Sequence, residues 1–295
     1  MKIGIMSTNG FNFHPNRRLA EAANQRGHQV FLMNPYRLWC SIQKGTLGAG
    51  SRSELNTPDV VLPRQGAPMG DYGLNLLRHF MLMGIPLIND EDAVRLTRNQ
   101  FLSLQALAEA KIPVPDSIFV TNEKGFYQAV KMLGGYPVVA KKVNSWGGRG
   151  VILVENERIL QLVSDCILEE KKGLIVQRYV PPAGRRDLRI LVLGGRVVAA
   201  MQLLPEQGDF RANFHLGGEV QVATLSTEMM ELAVKAVKAL GLEIAGVDII
   251  ENREGRPDVI EINYSPGFRG LEGATGLDIA GQIVDYVVSI YGAEA

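Results

Sequence analysis

Short apolar runs alternate with amphipathic stretches through the first ninety residues. Residues 2–6 and 29–32 are apolar and bounded by turn formers. Between them, residues 17–26 carry apolar and charged side chains at helical spacing and stop at Gly27. Residues 59–62 predict another strand, 72–83 a helix and 86–88 a further short strand. Strands and helices in that rhythm predict a parallel sheet with crossover helices. The apolar stretch at 3–6 is too short for a signal-peptide core and is expected to be the first strand.

Residues 91–110 predict one long helix that links into a second region and ends before Pro113 and Pro115. Beyond it the pattern predicts strands at 117–120, 137–143, 151–154 and 174–179, with helices at 123–133 and 156–170. The glycine-rich run NSWGGRG at 144–150 joins two of these strands. Residues 187–193 and 196–204 flank Gly194-Gly195 and predict a tight β-hairpin. Residues 209–218 are polar and irregular. Ser226 caps a helix running to Leu240, strands follow at 244–250 and 258–263, and a last helix covers 278–291. The expected class is α/β and α+β, in three units: 1–92, 93–180 and 181–295. The first unit is Rossmann-like, but no G-x-G-x-x-G follows its first strand. Gly48 and Gly50 are expected in a loop of the wrong spacing for a dinucleotide site.

Composition narrows the function classes. Hydrophobic residues are 46% and charged residues 21% of 295, as in ordinary globular proteins. Lys plus Arg and Asp plus Glu are each 31, so the net charge of zero gives no general attraction to nucleic acid or anionic lipid. No apolar run reaches the ~18 to 20 residues that cross a bilayer. Cys40 and Cys166 lack partners at metal or redox spacing and are expected to be reduced, mostly structural thiols. A soluble, cytoplasmic protein is expected.

The chemistry-bearing pattern is a set of polar pairs at spacing i, i+2: Asp187 with Arg189, Arg211 with Asn213, and Glu261 with Asn263. Strand alternation turns each pair to one face. Asp248 adds a carboxylate inside an apolar strand, on a neighbour of the strand carrying Glu261. Any one of these carboxylates alone is also explained by a salt bridge or a hydrogen bond to a turn. Together, carboxylates and an amide oxygen suit a hard divalent cation that also binds phosphate oxygens, and arginines suit those same oxygens. The run VVAKK at 138–142 places Lys141 before the glycine loop, where it could reach a phosphate; alternation turns Lys142 away. Taken alone, such a loop is more often a plain hairpin, and it is not a Walker P-loop. The four histidines, His14, His28, His79 and His215, lack zinc spacing, and no G-x-S-x-G elbow is present.

Four segments resemble the ATP-grasp superfamily, and most closely its RimK-like (alpha-L-glutamate) ligases. They are GDFRANFHLGG at 208–218, AGVD at 245–248, EINYSPG at 261–267 and ATGLDIA at 274–280. The resemblance covers nearly the whole chain and implies an ATP-grasp fold behind an N-terminal pre-ATP-grasp domain. It implies that Asp248, Glu261 and Asn263 hold magnesium or manganese, as two ions on the ATP phosphates. Lys141 would contact phosphate under a flap made mobile by Gly147, Gly148 and Gly150. Gln177, Arg178, Tyr179 and Val180 would form the adenine hinge, with Asp187 near the sugar. Arg189, Arg211 and Asn213 would face the phosphates and the reacting carboxylate. Arg64, in LPRQG at 62–66, would lie near the acceptor. The implied reaction is ATP-dependent amide formation through an acyl phosphate. Its partners would be a carboxylate acceptor (protein C-terminus, peptide or small molecule) and an amino acid such as glutamate. A homo-oligomer fits such an enzyme. Two departures, Asn99-Gln100 for an Asp-Lys pair and Arg178 for a hinge glutamate, give an alternative: a weak or inactive nucleotide-binding or regulatory relative.

Overall fold

A computed structural model describes residues 1–51, 57–64, 70–144, 150–205 and 219–292. The N-terminal unit begins with β1 (Lys2–Met6), α1 (His14–Gln25) and β2 (Gln29–Met33). Gly27, at φ +76°, takes the left-handed conformation that ends the helix, as its position predicts. β3 (Leu38–Gln43) and β4 (Thr46–Ser51) form a separate antiparallel hairpin. Gly48 and Gly50 were expected in a loop and lie instead in β4. The Trp39 indole covers Gly50 from the opposite strand, where a Cβ would come within 2.6 Å of the ring. β5 (Val60–Pro63) completes a parallel sheet of order β2-β1-β5, and α2 (Gly70–Leu82) follows. Residues 86–88 make only one parallel bridge, Leu87 to Val61, rather than a strand.

The long helix expected over 91–110 is two helices, α3 (Glu91–Arg98) and α4 (Gln100–Glu109). Asn99 stands between them with extended backbone, and its Oδ1 accepts from the N–H groups of Phe101 and Leu102. An asparagine that can satisfy two free helix donors favours a new start over continuation. The central unit follows: β6 (Ser117–Val120), α5 (Glu123–Met132), β7 (Val138–Lys142), β8 (Val151–Val154), α6 (Glu157–Cys166) and β9 (Leu174–Arg178). Its antiparallel sheet has the order β6-β9-β7-β8. α6 ends before the expected Glu170, because the backbone leaves helical geometry at Ile167. Cys166 and Cys40 are both free and exposed, so neither is the packing thiol that was expected.

The C-terminal unit contains β10 (Arg186–Leu193), β11 (Arg196–Leu204), β12 (Glu219–Val222), α7 (Thr227–Ala239), β13 (Ile244–Glu251), β14 (Pro257–Asn263), α8 (Arg269–Thr275) and α9 (Ile279–Tyr291). Its antiparallel sheet has the order β12-β11-β10-β13-β14. Gly194 and Gly195, both at positive φ, make the tight turn of the predicted hairpin. Ser226 caps α7 by accepting from Met229 N–H. The apolar residues of this sheet pack on two sides. Leu188, Ile190 and Val192 meet α7, whereas Leu191 and Leu193 share a core with Phe268 and Ile283. Both cores also take in the N-terminal unit, through Met6 and Val61 on one side and Ile3, Ile5 and Leu19 on the other. The central unit has its own core around Phe126, Val138 and Leu174.

Candidate active site

Sheet register builds the site. Arg189 on β10 lies opposite Asp248 on β13, and Asp248 lies opposite Glu261 on β14. The three side chains therefore stand in a row across one face, with Asp187 two residues before Arg189 on the same face. Arg189 grips Asp248 with both arms, Nε to Oδ1 at 2.7 Å and Nη2 to Oδ2 at 2.6 Å. Burial works against the guanidinium's charge, but Asp248 more than offsets it and holds the proton more tightly than in a free arginine. Asn263 donates its amide N–H to Asp248 Oδ2 at 3.2 Å. Asp248 is only 7% exposed within an otherwise apolar strand. Carboxylates are buried in this way when paired.

Glu261 is the unbalanced member. Burial, and then repulsion from Asp248, push its pKa up to about 7 against the pull of Lys141 and Arg189. Lys141 arrives from the other sheet, at 8% exposure on β7. Burial draws its pKa down to about 8, although Glu261 and Asp248 favour its charge and Arg185 opposes it. The central and C-terminal units thus contribute opposite charges to one buried cluster. Lys142 turns away as alternation predicts, toward Glu169.

Arg185 belongs to this cluster and was missed from the sequence. It donates through Nε to Asp187 Oδ2 at 2.9 Å and through Nη1 to the Val180 carbonyl. Burial raises the Asp187 pKa, and Arg185 counteracts that rise. Its position two residues before Asp187 was the available signal, but it precedes β10, where strand alternation gives no reading. On the expected hinge, Gln177 is buried and donates to Ser117 Oγ at 2.8 Å. Arg178 points outward and pairs with Asp116, so its charge lies away from the buried face of the strand. Tyr179 and Val180 are half-buried. Gln100 reaches toward the Ile260 carbonyl at 3.5 Å and lines a small cavity with Thr97, Arg98 and Glu261.

Gly150 takes φ +76° and lies against the Lys142 stem. Gly147, Gly148, Arg211 and Asn213 lie outside the described residues. Arg64 follows β5 and is 6% exposed, with its pKa drawn down to about 10 by burial. Its Nη2 donates to the Pro266 carbonyl at 2.5 Å, which places it next to the segment that leaves β14 after Asn263.

Among the described residues, no three of His, Cys, Asp or Glu gather at one point. A cation here would rest on Asp248, Glu261 and the Asn263 amide, and would take its remaining ligands from water and phosphate. That donor set fits magnesium, which keeps several waters and binds through one or two carboxylates plus phosphates. Glu261 supports the fit: its buried carboxylate is pushed toward neutrality by its surroundings, and a cation would restore its charge.

Comparison with known proteins shows the family and the fold. The model of the RimK-like ATP-grasp domain matches residues 97–287, and that of the RimK pre-ATP-grasp domain matches residues 1–94. A probable alpha-L-glutamate ligase of Pseudoalteromonas translucida is 38% identical over 288 residues, 97% of this chain and 95% of its own. The crystal structure of a RimK domain ATP-grasp protein from Sphaerobacter thermophilus superposes with a TM-score of 0.76. It is 24% identical and covers 98% of this chain and 100% of its own. The ATP-grasp ligase PsnB, solved with a minimal precursor, Mg and ADP, gives a TM-score of 0.71 at 20% identity, over 98% of this chain and 96% of its own. At these identities the two structures speak for the fold. No helix among the described residues is long and apolar enough to cross a membrane.

Proposed function

The chain belongs to the RimK-like ATP-grasp ligases, and we propose that it adds glutamate or a similar amino acid to the carboxylate of a protein, peptide or small molecule. The observation that carries this reading is the row Arg189, Asp248 and Glu261 on one sheet, with Asp248 buried, met by the buried Lys141 from another. Such a cluster suits a polyanionic ligand whose charge must be offset on both sides.

Phosphoryl transfer to a carboxylate brings two anions together, so most of the catalytic effect is electrostatic. Lys141 holds an ammonium over the phosphates. Arg189 faces the γ-phosphate and the attacking carboxylate, and Asp248 fixes its orientation; Arg211 and Asn213 would share that role, as the resemblance implies. Glu261, Asp248 and Asn263 would hold magnesium or manganese, as two ions, which would supply positive charge to offset that of the phosphates. The hinge, residues 177–180, receives adenine through backbone groups, while Arg185 fixes Asp187 beside the sugar. The attack forms an acyl phosphate and ADP. An amine then displaces phosphate to give the amide. Because water hydrolyses the acyl phosphate, the intermediate calls for a site closed to solvent, the role that the sequence resemblance implies for the glycine run with Gly147, Gly148 and Gly150.

The outward turn of Arg178 supports turnover over the inactive alternative, since its charge does not intrude on the hinge. The test is phosphate release with ATP, magnesium, glutamate and a panel of carboxylate acceptors. Acceptor-dependent release that disappears in Glu261→Ala supports the ligase. Nucleotide binding without turnover on any acceptor overturns it.

A further inference from the structure

β14 delivers its functional side chains only because it is irregular. Its register on β13 pairs Val259 with Ile249 and then Glu261 with Asp248, so Ile260 faces no residue of the neighbouring strand. One extra residue on one strand is a β-bulge, and it reverses the alternation of faces beyond it. Burial shows the reversal. Val259 and Ile262 have opposite parity along the strand, yet they lie in the same apolar core. Had the alternation of Val259 continued, Glu261 would point into that core and Ile262 would stand beside Asp248. The bulge instead turns Glu261, and with it Asn263, to the face that carries Asp248.

A bulged residue stands outside the regular ladder, so its backbone groups need other partners. The Ile260 carbonyl accepts from Gln100, whose Nε2 lies 3.5 Å away, a long bond. Gln100 is the first residue of α4, and its own backbone N–H donates to the Val143 carbonyl at 3.1 Å. Val143 follows β7, two residues beyond Lys141. The main chain of Gln100 therefore holds the sheet of Lys141, while its side chain reaches the strand of Glu261. A second link lies just before the bulge, where the Val259 N–H donates to the Pro113 carbonyl at 2.9 Å. Gln100, Ile260 and Glu261 line one small cavity.

We propose that Gln100 is a positioning residue: by holding the bulge at Ile260, it aims Glu261 at the cation that Glu261 and Asp248 would share. The inference rests on the reading of Glu261 as a metal ligand and deepens it. It gives the neutral side chain at this position a task of its own, in place of the phosphate contact that a lysine would make. An amide suits the task, because it donates to a carbonyl without adding a charge beside Glu261 and Lys141.

The test reads nucleotide binding rather than turnover. Binding of ADP to the full chain is followed by calorimetry across a magnesium titration. The wild type is compared with Gln100→Met, Glu261→Gln and the double variant. Methionine matches glutamine in length and cannot donate. Groups that orient a metal ligand are worth about 10- to 100-fold in metal affinity. The magnesium concentration for half-maximal ADP binding should therefore rise about tenfold in Gln100→Met. In Glu261→Gln it should rise further, and adding Gln100→Met should then change it little, because Gln100 acts through Glu261. Full additivity in the double variant would mean that Gln100 acts on the nucleotide itself, and would overturn the proposal. So would a Gln100→Met that lowers the Tm and leaves the magnesium midpoint in place, the mark of a merely structural residue. Gln100→Asn, too short to reach Ile260, serves if Gln100→Met does not fold, and should shift the midpoint in the same way. If the wild type binds ADP without regard to magnesium, or Glu261→Gln leaves the midpoint unmoved, the metal reading falls and the inference with it. If Glu261→Gln moves the midpoint and neither Gln100 variant does, the inference falls alone.

Discussion

Arg189 and Asp248 show how much a single pair can decide. Asp248 is buried and Arg189 largely so, and each oxygen of Asp248 accepts from Arg189. Removing one partner leaves the other charged in an apolar strand, which costs about 3–5 kcal/mol. Arg189→Met should therefore lower the Tm well beyond an ordinary surface change. The double variant Arg189→Met with Asp248→Leu should recover most of that loss while remaining inactive, as read by thermal unfolding and phosphate release. A single variant that unfolds no earlier than the wild type would show the pair to be more solvated than its burial indicates. The members of this cluster were legible in the sequence, since alternation placed Asp187 with Arg189 and Glu261 with Asn263, but the grip of Arg189 on Asp248 was not, because it follows from the register of β10 on β13. Arg185 and Asn89 were not. The Asn89 amide donates to the Ile244 and Tyr264 carbonyls and accepts from the N–H groups of Glu243 and Ile244. All four bonds cross more than 150 positions of sequence, and no local pattern encodes partners at that separation.

Helix and strand boundaries followed the local rules where one residue controls them. Gly27 ended α1, Ser226 began α7, and Gly194-Gly195 turned the hairpin. The failures share one physical cause. The break at Asn99 and the β3–β4 hairpin depend on what a side chain finds to bond or cover, and periodicity does not report that. Asn99 gives a direct check. Asn99→Ala removes an acceptor for two N–H groups at the start of α4, and a lost N-cap costs about 1 kcal/mol. Urea unfolding should show a lower midpoint at unchanged slope. Restored or raised stability would instead mean that α3 and α4 fuse into the single helix that the apolar pattern alone suggests. The effect on activity should be small, since Asn99 itself touches none of the buried cluster.

The three units are not joined equally. The N-terminal and C-terminal sheets share both large cores. They are also tied by Arg18 to Glu272 and Asp278, and by Arg26 to Asp285. The central unit buries its apolar residues mainly among themselves, with a small contact of Val143 and Ile175 against Leu104. Hydrogen exchange should follow this division: amides of β6, β7 and β9 should exchange as a group at lower free energy than those of β1, β10 and β13. Magnesium and ATP should slow the first group most, because a ligand held between two bodies stabilises their joined state. Uniform protection across all three sheets would contradict the division.

The Lys141 ammonium has a mechanical consequence. It stands on the sheet that has its own core, whereas Asp248 and Glu261 stand on the sheet that shares both large cores, so an outward swing of the first sheet would pull a positive charge away from two carboxylates. That attraction favours a shut jaw when the site is empty, and a triphosphate would have to take its place between the two sheets.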